Sequence, residues 1–532
     1  MLNEMPDLKF FITTGSVFNT QLLYSPQGWD DSLVQYERSL KYYGVFRSFT
    51  VPMRFAKDGA QYLRQEFYTY KLDSIAYILI QKLNRITLVY ETAYQGSFDF
   101  STFKDTDYQV EITVIDGGLA QLFKNNETTQ YKIPNRKPYY EAWVYGVETV
   151  DAQIGYIHGG AFTAPSMHLM SLFNWLCDKM TGGKVQDSTY AVRSDFLSGP
   201  IGEKVLATIS SSWNGIYDES TQYFNTTIAD FFNSINAIWP VGIGIENWEG
   251  TETIVLETRE YFFSKSNTID TLDIDVKNLS ISLVKEWMFN KLKIGFQEKN
   301  YSDESVRLTE PNTFSNYLVK NSKISGVEVD MTCKYRADGA GLDEYMDSGP
   351  YNNSSADIFL VEVYPDLGHD GIYIRSPAFV RKKDIPATEY DTWSMLLSPA
   401  QSAARHLQWI SDFLCGTSNF SLQFISGGND QDNNETKDGN TGAWVEEYDD
   451  IALLPIAYVY PYQIEFEAPY KSNLFSLIQQ NPYGLITFDY MGNTYTGYLK
   501  KIEVKLPGRG ATKYTLIACA ENDFSTLINN RV

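Results

Sequence analysis

The chain has 532 residues, which at ordinary domain sizes corresponds to roughly three to four domains. It carries 44 Lys and Arg against 66 Asp and Glu, a formal charge of −22, and so lacks the cationic excess that nucleic-acid binding over a broad face needs. Apolar residues make up 43% and aromatic residues 15%, which excludes a disordered chain and supplies material for packed cores.

Period-two patterns recur from one end of the chain to the other. Residues 1–9 are acidic where a Sec signal needs a basic and then an apolar region, so they do not read as one. The first alternating strand spans Phe49 to Phe55, with Phe49, Val51, Met53 and Phe55 on one side, and Pro52 marks it as an edge strand. Gly44 and Gly59 are expected at turns. Asp58 with Gln61 is expected to cap a helix through Leu63 and Phe67, followed by a hairpin of Ile75 to Leu83 and Ile86 to Tyr94 around Asn84 and Arg85. Tyr108, Val110, Ile112 and Val114 form the next alternating strand.

From Ser166, the residues Leu169, Leu172, Phe173, Leu176 and Met180 trace a helical stripe that stops at Gly182 and Gly183. Thr227 with Asp230 opens a helix through Phe231, Ile235 and Ile238 that Pro240 halts, and strands near Ile243 and Ile254 then flank residues 247–250. Leu272, Ile274 and Val276 alternate again. Ser398, Pro399 and Gln401 read as cap, first turn and capping box of a helix carrying Ala403, Leu407, Ile410 and Leu414, closed by Gly416. Asn473 opens a helix through Leu477 and Ile478. Strands Leu485 to Tyr490 and Thr494 to Leu499 follow, around the turn Met491, Gly492 and Asn493, and Ile502, Val504 and Leu506 alternate after them.

A capped helix followed by a hairpin therefore occurs three times, which suggests several modules of related shape. The expected fold class is mainly β (α+β): several antiparallel β-sandwich or barrel-like modules with a few short packed helices. Polar, turn-rich stretches place the modules at 1–135, 136–225, 226–345, 346–425 and 426–532. The most apolar stretches, 237–245 and 451–462, contain Pro240 and Pro455 and fall short of the ~20 residues needed to span a bilayer, so no membrane insertion is expected.

Signals for chemistry are sparse. Cys177, Cys333, Cys415 and Cys519 are widely separated and read as small core residues. His158, His168, His369 and His406 are equally scattered, and no HExxH, GxSxG or phosphate loop occurs. Residues 427–440 are dense in oxygen ligands (Asp430, Asp432, Asn434 and Asp438), but Glu435 and Thr441 stand where an EF-hand needs Gly and Glu. The segment reads as a solvated loop without a metal. Residues 339–355 read as an interaction arm or as plain disorder. Glycoside hydrolysis needs two carboxylates a set distance apart, and among 66 acidic residues sequence cannot select a pair. Neither an enzyme nor a cofactor is expected. The 38 tyrosines and 10 tryptophans suit core packing, protein interfaces or glycan stacking. Trp29, Tyr42, Tyr43, Tyr139, Tyr140 and Trp143 are the interface candidates.

Four segments carry a resemblance: SPQGWDD from Ser25 to Asp31, Tyr36 to Arg38, YYGVFRSFT from Tyr42 to Thr50, and Phe55 to Leu63. With GSFDFST from Gly96 to Thr102, the pattern resembles tail proteins of tailed bacteriophages and prophages of gut Bacteroidetes, including crAss-like phages. It covers about the first 120 residues. Echoes follow at Glu260 to Phe262, Tyr335 to Asp338 and Gly497 to Leu499. The resemblance implies a structural virion component at the tail hub, baseplate or tail tip, made in the host cytoplasm. It implies assembly in a ring with copies of itself, contact with other tail proteins and fibres, and no catalytic residue. The alternative is a carbohydrate-binding or polysaccharide-degrading adhesin.

Overall fold

The computed structural model describes residues 6–29, 33–71, 74–84, 87–115, 118–134, 142–145, 163–209, 223–248, 251–272, 276–284, 288–297, 313–319, 327–337, 357–365, 372–375, 378–382, 390–391, 395–413, 421–427, 434–438, 442–452, 459–471, 473–505 and 511–519. Seven sheets and eight helices occur among them, and the chain is mainly β with several antiparallel sheets, as the alternating residues dictate. The first strands are β1 (Leu8–Thr13), β2 (Thr20–Gln21), β3 (Leu33–Arg38), β4 (Val45–Ser48), β5 (Thr50–Ala56), β6 (Tyr77–Leu83), β7 (Tyr90–Asp105) and β8 (Gln109–Ile115). The helices are α1 (Lys57–Tyr70), α2 (Leu119–Asn126), α3 (Leu169–Met180), α4 (Pro200–Lys204), α5 (Ile228–Ile238), α6 (Arg259–Phe262), α7 (Pro399–Phe413) and α8 (Leu474–Gln480).

The N-terminal sheet has the order β2-β1-β6-β7-β8-β5. Val51, Met53 and Phe55 face inward against Val110, Ile112 and Val114 of β8, with Thr50 opposite Ile115 and Ala56 opposite Gln109. Pro52 lies on the edge strand β5, where its missing N–H removes no ladder bond. Beyond β2 the chain reaches the far side of β5 within a few residues, where Gln27 and Arg54 exchange backbone hydrogen bonds of 2.8 and 2.9 Å. At about 3.5 Å per residue so short a segment joins the two edges only if the sheet is rolled.

β3 and β4 belong instead to an eight-stranded sheet otherwise built from Thr268–Leu272, Lys277–Leu283, Val459–Pro469, Leu485–Tyr490, Asn493–Lys505 and Ala511–Cys519, and Leu33 to Glu37 of β3 pair with Lys505 to Lys501. The two sheets share one apolar core, which runs from Leu8 to Cys519. A closed barrel joins Ala142–Tyr145, Thr163–His168 and Val205–Ile209 to Ile358–Pro365 and Ile372–Arg375. A second core packs α2, α3 and α5 over the hairpin Val241–Trp248 and Thr251–Thr258, and a third lies under α7. Sheets thus tie together residues that the module boundaries at 135, 225, 345 and 425 assign to different units.

All three helix-hairpin units are present. Thr227 caps α5, its Oγ1 accepting the Asp230 N–H at 2.8 Å, and Ser398 Oγ accepts the Gln401 N–H at 3.3 Å ahead of α7. Met491 and Gly492, with φ of +50° and +77°, make the tight turn that pairs Tyr490 with Asn493, and Gly492 fits the second position without strain. α3 stops where Gly182 and Gly183 stand, but begins at Leu169 because Thr163–His168 is a strand. Asp58 does not cap α1: Ala56 holds the cap position, and Asp58 Oδ2 instead accepts the Leu23 N–H at 2.6 Å. Gly59 lies within α1, packed against Phe55 and Leu22, and is no turn. Within the presumed 427–440 loop, Asn434–Asp438 is a strand paired with Ala378–Lys382 and Trp444–Glu446. Cys177, Cys333 and Cys519 are buried thiols. Cys415, His158, His369 and the 339–355 arm lie outside the described residues.

Candidate interaction surface

Of the predicted interface aromatics, Tyr42 is buried and Trp29 and Tyr43 are half-buried. The turn between β3 and β4 puts Tyr43 at φ +65°, and Gly44 follows because a Cβ there would stand 2.3 Å from the Ile243 carbonyl. That approach lets the Ile243 N–H reach the Tyr42 carbonyl at 2.8 Å, joining the β3–β4 turn to the hairpin that follows α5. Tyr42 is buried between Phe123 and Phe232, with centroids 5.1 and 4.8 Å away. Burial and then Glu127 raise its phenol pKa.

Arg38, 1% exposed, clamps this joint. Its Nε donates to the Leu499 carbonyl at 2.7 Å, and its Nη1 to the carbonyls of Tyr43, at 2.8 Å, and Phe262. The guanidinium stacks 4.5 Å from the Phe263 ring, and burial lowers its pKa to about 10, so it remains charged at neutral pH. Arg259 stacks on Tyr43 at 4.2 Å and donates to Asn236 Oδ1 at 2.9 Å. Arg405 reaches the Ile238 carbonyl at 3.3 Å. Backbone carbonyls and aromatic faces thus replace water around these cations. Trp29 packs on Phe10 at 5.8 Å. Trp143 belongs to the barrel strand paired at Pro165 and Ile372, and Tyr139 and Tyr140 lie outside the described residues.

A cleft of ≈ 580 Å³ opens beside the joint, lined in part by Arg47, Tyr77, Tyr190, Glu246 and Glu252. Glu246 Oε2 accepts from the Tyr261 hydroxyl at 3.0 Å, and burial raises its pKa. Glu252 Oε2 accepts the Leu119 N–H at 3.1 Å. Since Glu246 is paired with Thr253 and Asn247 with Glu252, the two acids point to opposite faces of their hairpin and do not converge as a hydrolytic pair.

The strongest outward-facing feature is one end of the N-terminal sheet, where α1 lies across the ends of β1, β5 and β7 and the start of β6. Phe18 is 85%, Leu23 84% and Tyr108 87% exposed, and Tyr68, Tyr70 and Ile75 accompany them. α1 holds the loops that carry these side chains. The buried Glu66 carboxylate accepts the Gly15 N–H at 2.9 Å and the Ile75 N–H at 3.3 Å. Arg64 pairs with Asp105 at 2.8 Å and donates to the Thr106 carbonyl at 2.6 Å, and the Tyr68 hydroxyl donates to Asp105 at 2.9 Å. The Arg64 hydrogen bond is the main cause of a lowered Asp105 pKa. Exposed apolar side chains on loops fixed in this way make this end the candidate interaction surface. Aromatic pairing in the sequence missed it; the run from Phe10 to Trp29 without a charged residue was the available signal.

No known family model matches the chain, and no curated protein is similar to it in sequence. Among solved structures it is similar to a tail protein of Neisseria meningitidis, at 6% identity and a TM-score of 0.36 over 96% of this chain and 97% of that one. It is similar to a prophage MuSo2 tail protein of Shewanella oneidensis, at 10% identity and 0.35 over 96% and 98%. A prophage tail protein of Listeria monocytogenes is similar at 8% identity and 0.30 over 98% and 97%. All three TM-scores are too low to transfer a fold or a role to this chain.

Proposed function

We propose that this chain is a structural component of the tail of a bacteriophage or prophage of gut Bacteroidetes, the crAss-like phages included. Its place is the hub, baseplate or tip, and it acts through interfaces with copies of itself in a ring and with other tail proteins. One observation supports this most directly. Four of the eight sequence segments that resemble such proteins meet at one joint: Arg38 of the Tyr36–Arg38 segment binds carbonyls of Tyr43, Phe262 and Leu499, each from another of those segments. Segments that lock distant parts of the chain together in this way suit a load-bearing part. The reading makes the protein a virion component synthesised in the host cytoplasm. Electron microscopy of the phage particle with the chain labelled tests it: density at one end of the tail is expected. A chain absent from particles that binds glycans saturably as a monomer would overturn it in favour of an adhesin.

A further inference from the structure

We infer that the α1 end of the N-terminal sheet is where one copy of this chain seats against another. The tail reading supplies only the setting for this contact. Charge argues for a second copy as the occupant. The chain carries −22, so two copies repel through most of their surfaces and can meet only where local charge cancels. Among the described residues of this end, Lys57, Arg64, Lys71 and Lys104 balance Asp58, Glu66, Asp105 and Asp107, and residues 10–29 add no charge. A basic partner would be drawn to the acidic faces and would gain little here. A second acidic chain gains only by burying apolar surface, which Phe18, Leu23 and Tyr108 offer.

Strand addition is a poor alternative at this module. β5 carries Pro52 and is covered by Gln27, while β2 is two residues long. The contact is therefore made by side chains, and their loops are already fixed through Glu66 and Arg64, which limits the ordering cost of association.

The test is sedimentation velocity of the full chain over a range of concentrations at low and high sodium chloride. Self-association is expected to strengthen with salt, because screening removes the repulsion and leaves the apolar contact. The double variant Phe18→Ser/Tyr108→Ser should associate about tenfold more weakly or less, with an unchanged melting temperature because both side chains face solvent. Met491→Ser, in a distant turn, should associate as the native chain does. A native chain that stays monomeric throughout, a double variant that associates normally, or association that weakens with salt would overturn the inference. If the double variant self-associates normally but is lost from tails, this end binds another tail protein: the inference falls and the tail reading stands. If the native chain associates through this end yet is absent from tails, the reverse holds.

Discussion

Arg38 donates to three carbonyls from segments as far apart as Tyr43 and Leu499. Arg38→Met keeps the bulk but leaves those acceptors buried without donors, so a loss of about 3–5 kcal/mol is expected from urea unfolding. Arg38→Lys should recover less than half, since an ammonium cannot reproduce the planar fork. A variant within about 1 kcal/mol of the native chain would show that the joint does not depend on the clamp. His406 provides a pH test. It is buried, and burial followed by the charge of Arg259 holds its pKa well below 6.5, with Arg405 acting in the same direction. The unfolded chain takes up a proton near 6.5 that the folded chain refuses. The stabilisation is therefore present above that pH and lost as pH falls below it, by about 1.4 kcal/mol per unit for one proton. Glu246 and Glu257, raised mainly by burial, act in the opposite sense, losing stability as pH rises. The measurement is thus the difference between native and His406→Gln unfolding curves from pH 7 to pH 5: the native chain should lose more. Parallel curves would remove His406 from the acid response.

Elements were legible where the partner of a signal is local. Thr227 and Asp230 are three residues apart, and the predicted cap is the observed one. Thr227→Ala should therefore lower stability by about 1 kcal/mol, read from the denaturation midpoint, and an unchanged midpoint would make the cap dispensable. The Met491 to Asn493 turn and the inward faces of β5 and β8 were likewise readable, because turn chemistry and period two are properties of adjacent residues. Asp58 was misread because β5 runs straight into α1, leaving Ala56 at the cap and Asp58 free to bind Leu23, 35 residues earlier in the chain. Gly59 was misread for a related reason: it makes room for Phe55 and Leu22, a contact between elements. Tyr42 and Tyr43, interface candidates in the sequence, join distant parts of the chain to each other. No local pattern distinguishes an aromatic pair that locks two modules from one that locks two molecules.

At the scale of the molecule, the sequence revealed a multi-sheet β protein but not how its sheets are divided. Polar stretches suggested a C-terminal module beginning near 426, yet β3 pairs with Lys505 to Lys501, and the core that starts at Leu8 ends at Cys519. Such pairings join residues more than 460 positions apart and leave no trace in composition or periodicity. They make the two ends of the chain one folding unit, which a truncation can test. Deleting residues 426–532 removes the partner strand of β3 and takes Ile464, Phe466, Tyr498, Ile502 and Leu516 out of the shared core, exposing Val34 and Tyr36. The 1–425 fragment should therefore aggregate or lack a cooperative melt, and should become soluble when co-expressed with 426–532, whose strands complete the sheet. A 1–425 fragment that melts cooperatively near the native temperature would mean that the N-terminal sheet stands alone, and that the joint at Arg38 fastens finished modules together rather than being part of their folding.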